Sequence, residues 1–105
     1  MIKVNIDDIG GEVLKDDAQY LLKDNAFGNN LVLSSTFLRA NRSTNGHTHS
    51  GQEEVYFFMK GKGEMQINEE RFDVKKGDVV CIEDGDFHRV FNTSHLGLYF
   101  VCVFD

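Results

Sequence analysis

Short runs of apolar, aromatic and β-branched residues recur between residues 31 and 104, and turn residues separate them. Runs of about four to eight such residues, with Gly, Asn or Asp between them, predict β-strands. The predicted strands are 31–38, 55–59, 64–67, 71–74, 79–82, 87–91 and 98–104, and a loop is predicted over 39–46. The regular spacing of the turns predicts an all-β protein, either a sandwich or a small barrel.

The predicted turns contain Gly, Asn and Asp but no proline, which is absent from the whole chain. Gly61-Lys62-Gly63 predicts a hairpin turn between two successive strands. In the first thirty residues the pattern is weaker. Residues 2–6 alternate like a short strand, 7–11 predict a turn, and 25–30 predict a loop. Residues 18–26 fit the spacing of a helix and that of a strand equally well.

Two histidines separated by one residue, His47 and His49, are the first candidates for chemistry. Side chains alternate between the two faces of an extended strand, so both imidazoles point to one side and can bind one metal ion. A carboxylate after the short turn that follows can return to the same point. Glu54 shares a face with Tyr56, whereas Glu53 faces outward, so Glu54 is the predicted ligand. Taken alone, such a histidine pair is more often part of a surface loop than of a metal site.

A third histidine, His88, lies on the predicted strand 87–91, after a tight turn. Together, the two histidine-containing stretches resemble the two sequence motifs of the cupin family. The positions that match are His47, His49, Glu54 and Gly61 in the first motif and Gly77, Gly85, His88 and Asn92 in the second. Two motifs in register are far more specific than either alone, and the resemblance covers about residues 31–104.

The sequence departs from the family's motifs in two places. Asn41 stands where the first motif usually has its leading Gly, and Gly46 lies directly before His47 instead. Glu83 stands where the second motif has Pro. Proline would stiffen the turn before the last ligand, so this departure concerns the rigidity of the turn rather than the identity of the ligands.

The resemblance implies a jelly roll, or double-stranded β-helix, and favours a strand over residues 18–26. We expect one domain over 1–105, with N-terminal strands and a loop in 1–30 and the core with both motifs in 31–104. We also expect one divalent transition metal ion, one of Mn, Fe, Ni, Co, Zn or Cu. Its predicted ligands are His47, His49, Glu54 and His88. Four such ligands on an octahedral ion leave two positions open for a small-molecule ligand.

Three classes of function are consistent with such a site. The first is a metal-dependent isomerase or related enzyme acting on a sugar or small hydroxy-carbonyl compound. The second is a metal-dependent dioxygenase, and the third is a non-catalytic small-molecule binding module. We favour the isomerase, with Glu54 and Tyr56 as the catalytic residues, because few titratable groups are expected beside the metal. Glu54 would then act as a base as well as a ligand.

Other reaction types find little support in the sequence. A sugar phosphate would need a cation at the mouth of the site, and the candidates are Arg39 and Lys60, each directly after a predicted strand. His95 lies in a predicted loop and is left out of the site. No serine stands in a nucleophile-elbow sequence, and no Gly-rich phosphate loop precedes a helix.

The charge of the chain argues against a nucleic-acid partner. It has 11 basic and 17 acidic residues, for a net charge of −6, and no basic patch. Nucleic-acid binding depends on clustered Lys and Arg. No apolar run is long enough to span a membrane, and the first ten residues lack the basic and apolar regions of a signal peptide. We therefore expect a cytoplasmic protein with no membrane partner.

Two further expectations concern the core and the surface. Cys81 and Cys102 both lie within apolar strand patterns, which predicts two buried free thiols rather than a disulfide. Some apolar side chains lie on faces that one small sandwich does not cover alone, so we expect a homodimer. The side chains in question are Phe57, Phe91, Tyr99, Val101 and Val103.

Overall fold

Ten β-strands and one short 3-10 helix make up the computed structural model, which describes all of residues 1–105. The 3-10 helix is Ile6–Asp8. The strands are β1 Glu12–Asp16, β2 Tyr20–Asn25, β3 Val32–Leu38, β4 His47–Thr48, β5 Glu54–Lys60, β6 Lys62–Ile67, β7 Glu70–Lys75, β8 Val79–Ile82, β9 Phe87–Phe91 and β10 Leu98–Phe104. The all-β prediction is confirmed. No helix in the structure has the length and apolar character needed to span a membrane.

The strands form two antiparallel sheets whose inner faces make one core. The six-stranded sheet has the order β1-β2-β3-β10-β5-β8, and the four-stranded sheet has the order β4-β9-β6-β7. Burial alternates along β5 and β9, as expected for strands with one face towards a core. The buried members of the core are Tyr20, Leu38, Tyr56, Phe58, Met65, Val74, Ile82, Val90, Leu98, Phe100 and Cys102.

Every strand predicted between residues 31 and 104 is present, and the segment 18–26 contains the strand β2. The prediction was wrong in the first sixteen residues. Residues 2–6 do not form a strand; instead the Asn5 side chain accepts a hydrogen bond from Asp7 N at 2.8 Å and caps the 3-10 helix. Strand β1 was not predicted, because four of its five residues are exposed and it therefore lacks the alternation of apolar and polar positions.

The segment Gly61-Lys62-Gly63 is not a hairpin turn, because β5 and β6 belong to different sheets. The chain crosses from one sheet to the other at Gly61, whose φ is +89°. A Cβ atom at this position would lie 2.6 Å from the carbonyl oxygen of Gly97, so the close approach of two backbones requires glycine here. The hairpin lies one connection later, between β6 and β7.

The two cysteines differ in their environment. Cys102 is buried on the inner face of β10, as predicted. Cys81 is exposed, contrary to the prediction, because it lies on the outer face of β8, the edge strand of the six-stranded sheet. The apolar pattern of β8 therefore does not mean that both of its faces are buried.

Candidate metal centre

Three histidine side chains meet between the two sheets. His47 on β4 pairs directly with His88 on β9, and His49 follows β4 by one residue. The ring centroids are 5.3 Å apart for His47 and His49, 5.3 Å for His47 and His88, and 5.4 Å for His49 and His88. One ligand atom from each ring lies within 4.8 Å of the other two. The three imidazoles are thus close enough to share one metal ion.

The Glu54 carboxylate approaches the histidines from the facing sheet. Glu54 is the first residue of β5 and is 5% exposed. Its Oε2 atom lies 3.2 Å from His88 Nε2, and its Oε1 atom lies 3.6 Å from His49 Nε2. The neighbouring Glu53 is exposed, as the alternation along the strand predicts. The structure therefore brings together the four residues that the sequence offers as metal ligands.

Two buried atoms of this group, Glu54 Oε2 and His88 Nε2, have no hydrogen-bond partner in the structure. They lie close to each other, but their relative orientation does not meet the geometry of a hydrogen bond. Leaving a buried polar atom unpaired costs about 1–3 kcal/mol, and more where the atom is charged. A divalent cation among these donors would satisfy both atoms, and imidazole with carboxylate is a donor set that suits the first-row transition metals. The residues present therefore fit such an ion.

The backbone sets the orientation of the His88 ring. Its Nδ1 atom lies 3.3 Å from the carbonyl oxygen of Asp86. When Nδ1–H donates to this oxygen, the tautomer is fixed and the lone pair of Nε2 is left free towards Glu54. This is the arrangement that a metal-binding imidazole needs.

The pKa shifts in the cluster favour the protonation states that bind a metal. Burial by itself would raise the pKa of Glu54, but the contact with His88 and the charges of His49 and His47 outweigh it and hold the pKa below its usual range. Burial lowers the pKa of His47, and the neighbouring His88 and His49 lower it further, against the opposing effect of Glu54. An ionised carboxylate and a neutral imidazole are the forms that coordinate a metal.

Hydrogen bonds join the loop that carries His49 to the turn before His88. Gly85 N donates to the carbonyl oxygen of His49 at 3.0 Å, and Gly51 N donates to Asp84 Oδ1 at 2.6 Å. Within the turn, Asp86 N donates to the carbonyl oxygen of Glu83 at 3.0 Å. These bonds restrain the turn at the point where the family's motif has proline.

The four residues line one part of a cavity of about 200 Å³ between the sheets. Its other lining residues include Leu14, Tyr20, Leu22, Asp24, Ser34, Thr36, Gln52, Tyr56, Phe100, Cys102 and Phe104. No lysine or arginine lines it. The cavity is therefore suited to a small ligand, and apart from the three histidines no basic side chain is there to receive an anionic group.

The two cations considered for a phosphate lie elsewhere. The Arg39 guanidinium is 3.2 Å from the carboxylate of Asp16. Lys60 Nζ is 3.8 Å from the carboxylate of Asp7, and both residues line a separate cavity on the outer face of the six-stranded sheet. Neither cation lines the cavity beside the histidines. His95 is exposed in the loop between β9 and β10, outside the cluster.

Tyr56 lies beside the cluster, on the same face of β5 as Glu54. Its ring centroid is 5.9 Å from that of His88, and it also stacks on Phe100. Burial raises the pKa of the Tyr56 phenol well above its usual value, and the nearby Cys102 and Glu54 raise it further. The phenol therefore stays protonated at neutral pH, when it can donate a hydrogen bond but cannot act as a base.

Comparison with known proteins agrees with this architecture. A family model described as the cupin domain matches residues 37–104. The chain belongs to the cupin family. Cupin domains of known structure also confirm the jelly-roll prediction. Among them, a predicted oxalate decarboxylase from Thermotoga maritima superposes on this cupin with a TM-score of 0.84, covering 98% of this chain and 97% of that one at 22% sequence identity.

Two relatives are similar in sequence to most of this cupin. An uncharacterized protein of Methanocaldococcus jannaschii is 30% identical over 105 residues, which cover 97% of this chain and 84% of the relative. An oxalate-binding protein of Thermotoga maritima is 28% identical over 94 residues, which cover 90% of this chain and 78% of the relative. The similarity thus extends beyond the two histidine motifs into the N-terminal strands.

Sequence reasoning found the part of the cavity that contains the histidine cluster but missed the part that the N-terminal strands provide. Asp24 on β2 and Ser34 and Thr36 on β3 all line the cavity. No motif marks these residues. Alternation along 20–24 places Tyr20 and Asp24 on the same face of β2, and alternation along 34–36 places Ser34 and Thr36 on the same face of β3. It could not show that these two faces line the same cavity as the histidines.

Proposed function

We propose that this cupin binds one divalent transition metal ion through His47, His49, Glu54 and His88, and that the site holds a small ligand through two of the ligand's oxygen atoms. The observation that carries the proposal is the pair of unpartnered buried atoms, Glu54 Oε2 and His88 Nε2. When bound, the ion would act as a Lewis acid and polarise the oxygen atoms of the ligand. A cluster kept only for stability would pair these atoms with hydrogen-bond donors and acceptors of the protein instead.

The cavity and one relative support a chelating ligand of a few heavy atoms. A cavity of about 200 Å³ excludes large ligands. Because no lysine or arginine lines it, the metal would be the source of positive charge for an oxygen-rich compound. The relative from Thermotoga maritima is an oxalate-binding protein, and oxalate is a small compound with such oxygen atoms. Oxalate, 2-hydroxy acids and hydroxy-carbonyl compounds all present two oxygen atoms on adjacent carbons.

We further propose that the reaction, where one occurs, is isomerisation of a small hydroxy-carbonyl compound with Glu54 and Tyr56 as catalytic residues. Glu54 is held in its ionised form and can accept a proton from the carbon next to a carbonyl group. Glu54 then delivers a proton, which exchanges with the solvent while it is on the carboxylate, to the former carbonyl carbon, and the hydroxyl proton of the substrate moves to the carbonyl oxygen. The reaction therefore needs no oxidant or reductant. Tyr56 is held in its neutral form and can donate a hydrogen bond to a substrate oxygen.

A second candidate is a binding module without catalytic activity. The observation that favours it is the relative of 28% identity, which is a binding protein. In that case Glu54 and Tyr56 would only orient the ligand. The two candidates share the metal site and differ in whether a proton leaves the ligand.

The test uses protein loaded with Mn, Fe, Ni, Co, Zn or Cu in turn and metal-free protein as the control. Elemental analysis should find one ion per chain, and calorimetry should show oxalate or a 2-hydroxy acid binding only to the loaded protein. Hydroxy-carbonyl compounds are then incubated with the loaded protein in deuterated water, with and without air. Deuterium entering the carbon beside the carbonyl without oxygen supports the isomerase, and binding without exchange supports the binding module.

Oxygen consumption by the iron-, nickel- or copper-loaded protein would instead indicate a dioxygenase. If none of the metals is retained above background, the metal-dependent function is wrong. If metal binds but neither oxalate nor any hydroxy compound binds to the loaded form, the proposed ligand class is wrong.

A further inference from the structure

A second carboxylate, that of Asp24, lines the cavity. Asp24 lies on β2, which is separated by β3 and β10 from β5, the strand that carries Glu54. Asp24 on β2 pairs with Ser34 on β3, Ser34 pairs with Cys102 on β10, and Cys102 pairs with Tyr56 on β5. These four residues form one row across the inner face of the six-stranded sheet, and all four line the cavity. Three strand spacings of about 4.8 Å put the backbone of Asp24 about 14 Å from that of Tyr56 along the sheet.

Asp24 faces the cavity without a basic partner. Its neighbour Lys23 points to the other face of the sheet, where Nζ donates to the carbonyl oxygen of Ile9 at 3.4 Å. None of the ion pairs in the structure includes Asp24. Asp24 and Glu54 both line this cavity, so the two carboxylates face the same interior.

Two hydroxyl side chains lie next to Asp24 on the adjacent strand. Ser34 is 7% exposed and Thr36 is 6% exposed, and both line the cavity. A wall with a half-buried carboxylate and two hydroxyl groups offers hydrogen-bond acceptors to a ligand. The metal-binding wall, with a divalent ion, would attract oxygen atoms that carry negative charge. The two ends of the cavity therefore differ in the chemistry that they favour.

We propose that Asp24 determines which ligand this cavity binds. Its carboxylate accepts a hydrogen bond from a hydroxyl or ammonium group at the end of the ligand that is remote from the metal. This inference rests on the proposed function. It narrows the ligand class to compounds with a chelating pair of oxygen atoms at one end and a hydrogen-bond donor a few bonds away. A carboxylate or phosphate at the remote end would be repelled by Asp24 and would find no lysine or arginine in the lining.

The test is calorimetric titration of the metal-loaded protein with four acids that share the same chelating end. The acids are 2-hydroxypentanoate, 2,5-dihydroxypentanoate, 5-amino-2-hydroxypentanoate and 2-hydroxyglutarate, which end in a methyl, a hydroxyl, an ammonium and a carboxylate group. We expect the hydroxyl or the ammonium compound to bind roughly tenfold more tightly than the methyl compound, as for one hydrogen bond to a charged group. The carboxylate compound should bind most weakly. Oxalate serves as a probe of the chelating end alone.

The variant Asp24→Asn keeps the size of the side chain and removes its charge. It should abolish the advantage of the ammonium compound and strengthen the binding of 2-hydroxyglutarate, while its affinity for metal and oxalate stays the same. The matched control is Asp73→Asn, which changes an exposed acid on β7 and should leave the ranking of the four acids unaltered. Circular dichroism and metal content confirm that each variant is folded and loaded.

A wrong role for Asp24 and a wrong proposed function give different experimental results. If Asp24→Asn binds metal and oxalate normally and ranks the four acids as the unchanged protein does, the role of Asp24 is wrong and the proposed function stands. If the unchanged, metal-loaded protein binds oxalate but none of the longer acids, the role of Asp24 is also wrong. If it binds neither oxalate nor any of the acids, both the inference and the proposed function are overturned.

Discussion

At its N-terminal end, strand β5 departs from the usual distribution of residues, because it buries a carboxylate and exposes apolar side chains. On the inner face, Glu54 and Tyr56 are 5% and 9% exposed. On the outer face, Val55 and Phe57 are 43% and 38% exposed. A charged residue is therefore buried while apolar residues of the same strand face the solvent.

We infer that a binding partner would relieve an unfavourable feature on each face. Burying an ionised carboxylate is unfavourable unless it is paired or bound to a metal, so the inner face calls for a cation. Exposed apolar side chains on a sheet are unfavourable in water, and a contiguous group of them marks a contact surface. The predictions below change one face at a time, in order of decreasing expected effect.

The largest effect is expected on the inner face, from removal of a metal ligand. His88→Ala should lower the affinity for the metal by more than about a hundredfold, since changes to the partners of metal ligands alone cost about 10- to 100-fold. Metal at a hundred times its Kd should stabilise the unchanged protein by about 2.7 kcal/mol and should not stabilise the variant. Thermal unfolding with and without added metal measures both effects.

Two controls accompany this variant. His95→Ala changes an exposed loop histidine and should leave the metal affinity and the stabilisation unchanged. His49→Ala removes a half-exposed ligand and tests the site without opening a cavity in the core, should His88→Ala fold poorly. Metal stabilisation that persists in both ligand variants would contradict the assignment of the site.

The residues of the inner face were largely predictable from the sequence, because the face on which each side chain lies follows from its spacing from nearby residues. Alternation along β5 placed Glu54 and Tyr56 on one face and Glu53 on the other, and the structure has this arrangement. The spacing of the histidines within each motif placed His47 and His49 together. That His88 lies opposite His47 depends on the pairing of β4 with β9, and here the resemblance to a family supplied what the pattern alone could not.

Features that depend on which strands are neighbours were not predictable in this way. Cys81 has an apolar sequence context, but β8 is an edge strand and leaves its outer face uncovered. Gly61 has the local sequence of a turn, but the next strand joins the other sheet. Asp24 is an ordinary acidic residue in the sequence, and only the order β2-β3-β10-β5 brings it to the same cavity as Glu54.

The second prediction concerns the outer face, which we expect a second copy of the chain to cover. Fewer of the predicted apolar residues are exposed on this face than the sequence suggested. Val101 is only 7% exposed, and Phe91 lies on the other sheet under the Arg71 guanidinium, 3.8 Å from its ring centroid. Phe57 is still an exposed apolar residue of this face. It pairs with Val79 on β8, and Val79 is 62% exposed.

Phe57→Lys should therefore weaken the homodimer roughly thirtyfold, the effect of losing one central contact of about 2 kcal/mol. Sedimentation velocity over a range of dilutions gives the dissociation constant. Leu96→Lys, in the exposed loop between β9 and β10, is the control and should have no effect. A protein that sediments as a monomer at its highest concentration, or a dimer indifferent to Phe57→Lys, would show that this face is not the interface.

The smallest effect is a difference in reactivity between the two thiols. Each thiol lies on a strand next to β5, one on the outer face of the sheet and one on the inner face. Cys81 pairs with Val55 on the outer face, and Cys102 pairs with Tyr56 on the inner face. Burial raises the pKa of the Cys102 thiol, and the charges of Glu54 and Asp24 raise it further, so it stays protonated and shielded at neutral pH. Dithiobis(nitrobenzoate) should therefore titrate one thiol per native chain and two per chain in urea, and Cys81→Ser should remove the native reaction at every pH from about 7 to 9. Rapid reaction of native Cys81→Ser would mean that Cys102 is accessible through the cavity and that the inner face is more open to solvent than its burial indicates.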